Sequence, residues 1–197
     1  MEWGRFMVRR LLYVPRMYSN IEFKILAEEL PPDFESKTHE FWAYVEEKLS
    51  VFKGRIKRIY RDGNYRGGKV SISNLASTDP HNFSLIDKLI DDGASFEATE
   101  NHILIEESES WLQILKSRES NAVTLEMYQQ TMDERNKHVA NRIHETLEDD
   151  EIAVLFFEPS RRIKLRDDIK VIKVYRFNPI DYLRSWQAKQ RLKTNVG

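Results

Sequence analysis

Cysteine is absent from the sequence of 197 residues, and this absence removes several kinds of chemistry at once. Disulfides, thiolate nucleophiles and cysteine-based zinc sites are excluded, and the composition is compatible with a reducing compartment. Glycine is also scarce, with seven residues. None of them forms a Walker-type phosphate loop or the Gly-x-Ser-x-Gly turn of serine hydrolases. The five histidines show no metal-binding pattern.

Long apolar runs and a strong net charge are missing as well. No stretch approaches the ~18 apolar residues that a membrane-spanning helix needs, and the first residues contain no apolar core typical of a signal peptide. The formal net charge of −1 gives the whole chain no attraction to nucleic acid or to anionic membranes. These features predict a cytoplasmic protein that does not associate with membranes.

The sequence does contain short apolar runs that alternate with amphipathic segments. The runs within 9–15 and 151–157 are typical of strands buried on both faces. Segments 55–60 and 169–177 alternate between apolar and polar residues, which indicates two more strands, and 169–177 is typical of an edge strand. Helical spacing separates these segments. The sequence therefore predicts an α/β fold with a central mixed or largely parallel sheet of about four to five strands flanked by helices.

The chain is long enough for one domain with a sizeable core, and no linker divides it. We predict a single α/β domain over residues 1–186, followed by a polar, flexible tail over residues 187–197. Four large aromatic side chains are candidates for the core or for a subunit interface: Trp3, Phe6, Trp111 and Trp186. A homo-oligomer is therefore left open.

Two turns follow the predicted buried strands, at residues 15–19 and 158–162. In α/β sheets, ligands bind at the carboxyl ends of the strands, so both turns lie where a site is expected. Their polar and charged side chains suit the binding of an anion. The candidate ligand-binding residues in these turns are Arg16, Tyr18, Ser19, Glu158 and Arg161. For Ser19, a purely structural role as a helix cap is the alternative.

A long helix predicted near 121–147 carries a charged residue on its apolar side. Its buried stripe is predicted to comprise Leu125, Tyr128, Met132, Val139 and Ile143. Arg135 lies four residues before Val139 and Asn136 lies four after Met132, so both fall on this stripe. A buried guanidinium needs a partner or a polar cavity, because an unpaired buried charge is costly. Arg135 and Asn136 are therefore candidate ligand-binding residues, unless the arginine head reaches a surface carboxylate.

The stretch ERNKHVANRI, residues 134–143, resembles the Glu-Arg-Asp/Asn-x-x-Met-Ala-x-x-Ile helix of the TraB/PrgY group. That group belongs to a wider superfamily with Tiki, ChaN and erythromycin-esterase-like proteins. In the family a buried strand follows this helix, as EIAVLFF follows it here, and LLYVPRMYS resembles the family's opening strand and turn. The resemblance implies metal-dependent hydrolysis by histidines in Gly-Thr-x-His and Gly-x-x-His turns together with an acidic residue.

The histidines and glycines that the resemblance implies are replaced in both turns. Tyr18 stands where the first histidine is expected and Arg161 where the second is expected, while Glu158 and Pro159 occupy the second turn. Tyrosine is a poor metal ligand because its hydroxyl must lose a proton with a pKa near ~10, and the positive charge of arginine repels a cation. We therefore expect a remodelled, non-hydrolytic site that binds an anionic small molecule or a partner protein.

Two other functions stay open at this point. A metal-dependent hydrolase would need oxygen ligands for magnesium or manganese, and the candidate metal ligands are Asp62, Glu97, Glu100 and Glu158. No cofactor is required by the sequence, and no catalytic residue is defined by it. The third function is binding of nucleic acid or another polyanion by segments 53–69 and 161–176, which contain seven basic residues each.

Overall fold

The computed structural model describes residues 8–26, 29–117 and 121–194 and shows a five-stranded sheet between helices. The strands are β1 (Arg9–Pro15), β2 (Ile56–Arg61), β3 (Ser95–Phe96), β4 (Ile152–Phe157) and β5 (Ile169–Lys173). The helices are α1 (Asn20–Leu26), α2 (Phe34–Ser50), α3 (Leu75–Thr78), α4 (Pro80–Asp91), α5 (His102–Lys116), α6 (Ala122–Thr146) and α7 (Pro179–Thr194). A short 3-10 helix occupies Lys69–Ile72.

The strands pair in the order β3-β2-β4-β1-β5, and all of the described pairings are parallel. The predicted α/β fold with a largely parallel sheet is therefore confirmed. Strand β4 lies at the centre, and all six of its residues are buried, as expected of a strand covered by helices on both faces. Strand β5 lies at an edge of the sheet, as its alternating sequence predicts.

Successive side chains of the central strands pack into two apolar clusters, one on each face of the sheet. On one face, Leu12 and Val154 pack with the apolar sides of α2 and α4. On the other face, Leu11 and Leu155 pack with the C-terminal half of α6. This division explains why the sequences of β1 and β4 are apolar at nearly every position.

Helix α6 packs on the sheet only through its C-terminal half. Val139 and Ile143 are fully buried there, as predicted. The N-terminal half packs with α5 instead, and Leu125 in this half is 46% exposed. The prediction that Leu125 belongs to the buried side is therefore wrong, because helical spacing does not reveal where the sheet beneath a helix ends.

Capping residues fix the starts of α1, which follows β1, and of α4, which precedes β3. The backbone N–H of Glu22 donates to Ser19 Oγ at 3.1 Å, and the Ser19 N–H donates to Glu22 Oε2 at 2.8 Å. This reciprocal pair is the capping box that the spacing predicts. Asp79 caps α4 through its side chain, which accepts from the backbone N–H of Asn82, and Pro80 occupies the first helical position.

The last helix, α7, continues to Thr194 and so extends into the segment 187–197 that we predicted as a tail. Residues 195–197 lie outside the described residues. Across the described ranges, no helix is both long and apolar enough to cross a membrane.

The four large aromatic residues have different positions. Trp186 is partly buried against the apolar cluster under α2 and α4. Trp111 lies partly exposed on α5, where its indole N–H donates to Glu107 at 3.3 Å. Trp3 and Phe6 lie outside the described residues.

Candidate functional site

Four strands bring polar side chains to the same edge of the sheet. Tyr18 follows β1, Asp62 follows β2, Glu100 follows β3 and Glu158 follows β4. Because all four strands are parallel, their carboxyl ends lie together, at the edge where α/β proteins bind ligands. Arg135 reaches this group from α6.

Two turns hold these side chains in place. Asp62 is followed by Gly63, whose φ of 71° is a conformation that favours glycine. The backbone N–H of Gly63 donates to Glu100 Oε1 at 3.2 Å, which ties the end of β2 to the segment after β3. In the turn after β4, the backbone N–H of Arg161 donates to the carbonyl oxygen of Glu158 at 3.0 Å. This second bond closes the turn that carries Glu158 and Arg161.

A cavity of about 330 Å³ opens at this edge, and we call it the edge cavity. Its polar lining includes Tyr18, Asp62, Arg135, Glu158 and Arg161. Its apolar wall comes from α5, α6 and α7. A concave space with apolar walls and a few convergent polar groups is typical of small-molecule sites.

One buried carboxylate, that of Glu100, binds two arginines beside the edge cavity. Arg135 donates from Nε to Oε2 at 3.0 Å and from Nη2 to Oε1 at 2.8 Å, and Arg161 donates from Nη1 to Oε1. The Glu100 side chain is 0% exposed, and those of Arg135 and Arg161 are 12% and 5% exposed. Burial alone would raise the pKa of Glu100, but the two guanidinium groups outweigh it and lower this pKa. Together, Glu100, Arg135 and Arg161 carry a net charge of +1.

Arg161 has one nitrogen that its surroundings leave unsatisfied. Its Nε donates to Asn136 Oδ1 at 3.0 Å, and its guanidinium carbon lies 4.6 Å from the centroid of the Phe157 ring. Its Nη2 is buried and makes no hydrogen bond within the part of the chain that the structure describes. A buried donor without an acceptor costs about 1–3 kcal/mol, so an added acceptor is favourable at this nitrogen.

Arg16 belongs to a second buried network, which adjoins the first at Asp62. Its Nη1 donates to Asp62 Oδ1 at 2.9 Å, its Nη2 donates to Glu22, and its Nε lies 3.5 Å from Asp79 Oδ2. Arg61 joins the network, because its Nη2 donates to Asp79 at 3.2 Å. Burial would raise the pKa of Asp62, but the neighbouring arginines outweigh it and lower this pKa. Two arginines here face three carboxylates, so this network carries a negative excess.

Glu158 is a hydrogen-bond acceptor in the lining of the edge cavity, and two neighbouring hydroxyls donate to it. The Tyr18 hydroxyl donates to Glu158 Oε1 at 2.9 Å, and Ser160 donates to the same oxygen from its hydroxyl at 3.1 Å. Burial and the nearby charge of Asp62 raise the pKa of Glu158. Burial and the neighbouring Glu158 also raise the pKa of Tyr18, so its phenol remains a hydrogen-bond donor near neutral pH.

The predicted ligand-binding residues take different positions around this site. Four of the seven line the edge cavity: Tyr18, Arg135, Glu158 and Arg161. Asn136 holds the guanidinium of Arg161. Arg16 is buried against carboxylates and does not line the cavity. Ser19 caps α1 and lines a separate cavity of about 370 Å³ near the starts of α1 and α4.

The four candidate metal ligands are bound to different partners. They are Asp62, Glu97, Glu100 and Glu158. Glu97 pairs with Arg58 at 2.9 Å, and Asp62 pairs with Arg16. Among the described residues, no group of three or more histidine, aspartate or glutamate side chains is placed to hold a metal ion. The geometry therefore adds no support for an oxygen-ligand metal site.

The two basic segments lie at different strands of the sheet. Strands β4 and β1 separate β2, in segment 53–69, from β5, in segment 161–176. Four of the seven basic residues of 53–69 pair with carboxylates: Lys53, Arg58, Arg61 and Lys69. These pairings reduce the positive charge that this segment presents to a polyanion.

Sequence reasoning missed several partners that complete the site. Arg61 and Asp79 enlarge the network around Arg16, and Ser108 accepts a hydrogen bond from Arg135 Nη1 at 2.9 Å. Asp79 precedes Pro80 in the sequence, a pattern typical of a helix cap, and it does cap α4. Asp62 and Asp79 are separated by a loop and two short helices, so no spacing pattern links them.

A scan against protein-family models, a search of the curated proteins and a search of the solved structures each find no match to this chain. The lining of the edge cavity combines two arginines, Arg135 and Arg161, with three carboxylates, Asp62, Glu109 and Glu158.

Proposed function

We propose that this chain binds a compact small molecule with one acidic group in the edge cavity. The observation that carries the proposal is the sharing of the buried Glu100 carboxylate by Arg135 and Arg161. Both arginines line the cavity, and together they leave one positive charge in excess. A ligand carboxylate balances this charge, and Arg161 Nη2 is the guanidinium nitrogen of this pair that has no acceptor among the described residues.

The charged residues that line the cavity limit the charge of the ligand. The positive excess comes from Arg135 and Arg161, whereas the carboxylates of Asp62, Glu109 and Glu158 belong to the same lining. A polyanion would meet these carboxylates. A ligand with one carboxylate and an adjacent hydroxyl or ammonium group complements both the arginines and the carboxylates, since the second group can donate to Glu158. The volume of about 330 Å³ favours such a small molecule over the side chains of a partner protein.

The resemblance to the TraB/PrgY group supports the same location for a site with different chemistry. Tyr18 and Arg161 stand where the resemblance implies histidines, and both line the edge cavity with Arg135 of the matched helix. A phenol and a guanidinium donate hydrogen bonds to an anion and do not bind a metal near neutral pH. The proposed site is thus a binding site in place of a hydrolytic one.

The test is calorimetric titration of the protein with acetate, glycolate, glycine and succinate, supported by thermal melts. Glycolate and glycine should bind more tightly than acetate, because each adds a donor for Glu158, and succinate should gain nothing from its second charge. A ligand at ~100 times its Kd adds about 2.7 kcal/mol to the free energy of unfolding. For a chain of this size the midpoint then rises by roughly 5–10 °C.

Two variants locate the binding. Arg135→Gln should abolish the preference for carboxylates, whereas Arg176→Gln should not, because Arg176 is an exposed arginine paired with Glu40 outside the cavity. Melts with zinc, manganese and magnesium complete the experiment. Stabilisation by a metal but by none of the acids would contradict the proposal and favour the hydrolase.

A further inference from the structure

A second cavity, of about 490 Å³, adjoins the edge cavity and shares Ser160, Arg161 and Ile180 with it. We call it the flank cavity. Its walls come from segment 159–165 after β4, from β5 and the residues that follow it, and from the first turns of α7. Its volume is within the range of small-molecule sites.

Three cations line the flank cavity without a carboxylate partner in the described ranges: Arg162, Lys173 and Arg184. The one carboxylate in the lining belongs to Asp181. Arg161 also lines the cavity, but its charge is shared with Glu100. The flank cavity therefore concentrates positive charge in a chain whose formal net charge is −1.

These three cations come from three different elements of the fold. Arg162 lies in the turn after β4, Lys173 is the last residue of β5, and Arg184 lies in the second turn of α7. The N-terminus of α7 also meets the cavity at Asn178, whose side chain accepts a helical N–H at 3.1 Å. The positive end of this helix adds to the attraction for an anion.

The remaining wall of the flank cavity is aromatic and apolar. Tyr13 and Tyr175 pack edge to face there, with ring centroids 6.4 Å apart. Ile163, Leu165 and Val171 extend this surface. An aromatic ring packs favourably on such a surface while an attached anionic group reaches the cations.

We infer that the flank cavity is a second binding site, for an organic phosphate monoester with an aromatic body. A phosphate monoester carries about two negative charges near neutral pH, which three unpaired cations can neutralise. The aromatic body packs against Tyr13 and Tyr175. This site does not rest on the proposed function, because its three unpaired cations, Arg162, Lys173 and Arg184, do not line the edge cavity.

Phenyl phosphate is the probe, and inorganic phosphate is its comparison, in calorimetric titrations of the full chain at low ionic strength. Phenyl phosphate should bind at least about fivefold more tightly, because the ring adds buried apolar area. Lys173→Gln and Arg184→Gln should each weaken its binding about tenfold, because each removes a charge-assisted hydrogen bond. Lys164→Gln is the matched control, since Lys164 is an exposed cation of the same basic segment outside the lining.

The outcomes separate this site from general charge attraction and from the edge cavity. Equal weakening by Lys164→Gln overturns the inference, because binding then depends on net charge. Absence of binding at millimolar phenyl phosphate, or affinity no higher than that of inorganic phosphate, also overturns it. The two sites are measured with different ligands, phenyl phosphate for the flank cavity and glycolate for the edge cavity, so failure at one cavity does not imply failure at the other.

Discussion

Replacing Glu100 with glutamine removes the one carboxylate that two buried arginines share. Glutamine preserves the size of the side chain, so the change is mainly one of charge. Arg135 and Arg161 are then two buried like charges without a counter-ion. Removal of one partner from a buried ion pair costs about 3–5 kcal/mol. Because a domain has a total free energy of unfolding of about 5–15 kcal/mol, this single change should remove a large part of it.

The effect should depend on pH in a defined direction. The pKa of Glu100 is lowered in the folded protein, so the carboxylate stabilises the fold at pH values above its unfolded pKa. This contribution is lost as the pH falls through the folded pKa. The difference between the wild type and Glu100→Gln should therefore be constant near neutral pH and shrink below the ordinary glutamate pKa of about 4.3.

Urea denaturation followed by circular dichroism measures this difference at several pH values. Glu145→Gln is the control, because Glu145 forms an exposed pair with Arg142 at 3.2 Å and surface pairs contribute little. Adding Arg161→Gln to Glu100→Gln should recover part of the lost stability, since one of the unpaired charges is then gone. A loss below about 1 kcal/mol for Glu100→Gln, or no recovery in the double variant, would refute the reasoning.

Two further predictions concern Glu158 and the core. The pKa of Glu158 is raised, so its protonated form stabilises the fold at low pH and this stability is lost as the pH rises through the folded pKa. Glu158→Gln should thus raise the free energy of unfolding near neutral pH and not at low pH. Urea titrations at both pH values measure this free energy, and an equal increase at the two pH values would contradict the prediction. Leu155→Ala should cost about 2–5 kcal/mol, because Leu155 is fully buried in β4. Leu125→Ala should cost less than about 0.5 kcal/mol. Thermal melts compare the two variants, and similar shifts of their midpoints would contradict the difference in burial between Leu155 and Leu125.

Much of the fold could be predicted because the burial of a strand or helix determines which of its positions are apolar. A strand covered on both faces needs apolar residues at successive positions, and 151–157 shows this pattern. Strand β3 is different, because a strand of two residues, Ser95–Phe96, is too short to show any period. The order of the strands could not be predicted either, since periodicity reports how a strand is buried and not which strand lies beside it.

The site could be predicted only in part, because contacts between residues that are distant in sequence leave no periodic pattern. The burial of Arg135 follows from its helical spacing to Val139, and the structure bears this out. Its partner Glu100 lies 35 residues away in sequence, and only the fold brings the two together. Arg16 illustrates the reverse case: its position after β1 suggests a free cation, yet Asp62, at the end of β2 on the far side of β4, binds it.

The concentration of buried charge at one edge of the sheet is itself an argument for function. Four arginines take part: Arg16, Arg61, Arg135 and Arg161. Replacing buried ion pairs with apolar side chains is often neutral or stabilising, so stability alone does not explain this edge. The charges are also unevenly balanced, because Arg135 and Arg161 share the single carboxylate of Glu100, and burial and the charge of Asp62 raise the pKa of Glu158. Both imbalances lie in the lining of the edge cavity or directly behind it, where a ligand with an acid and a donor group would relieve them.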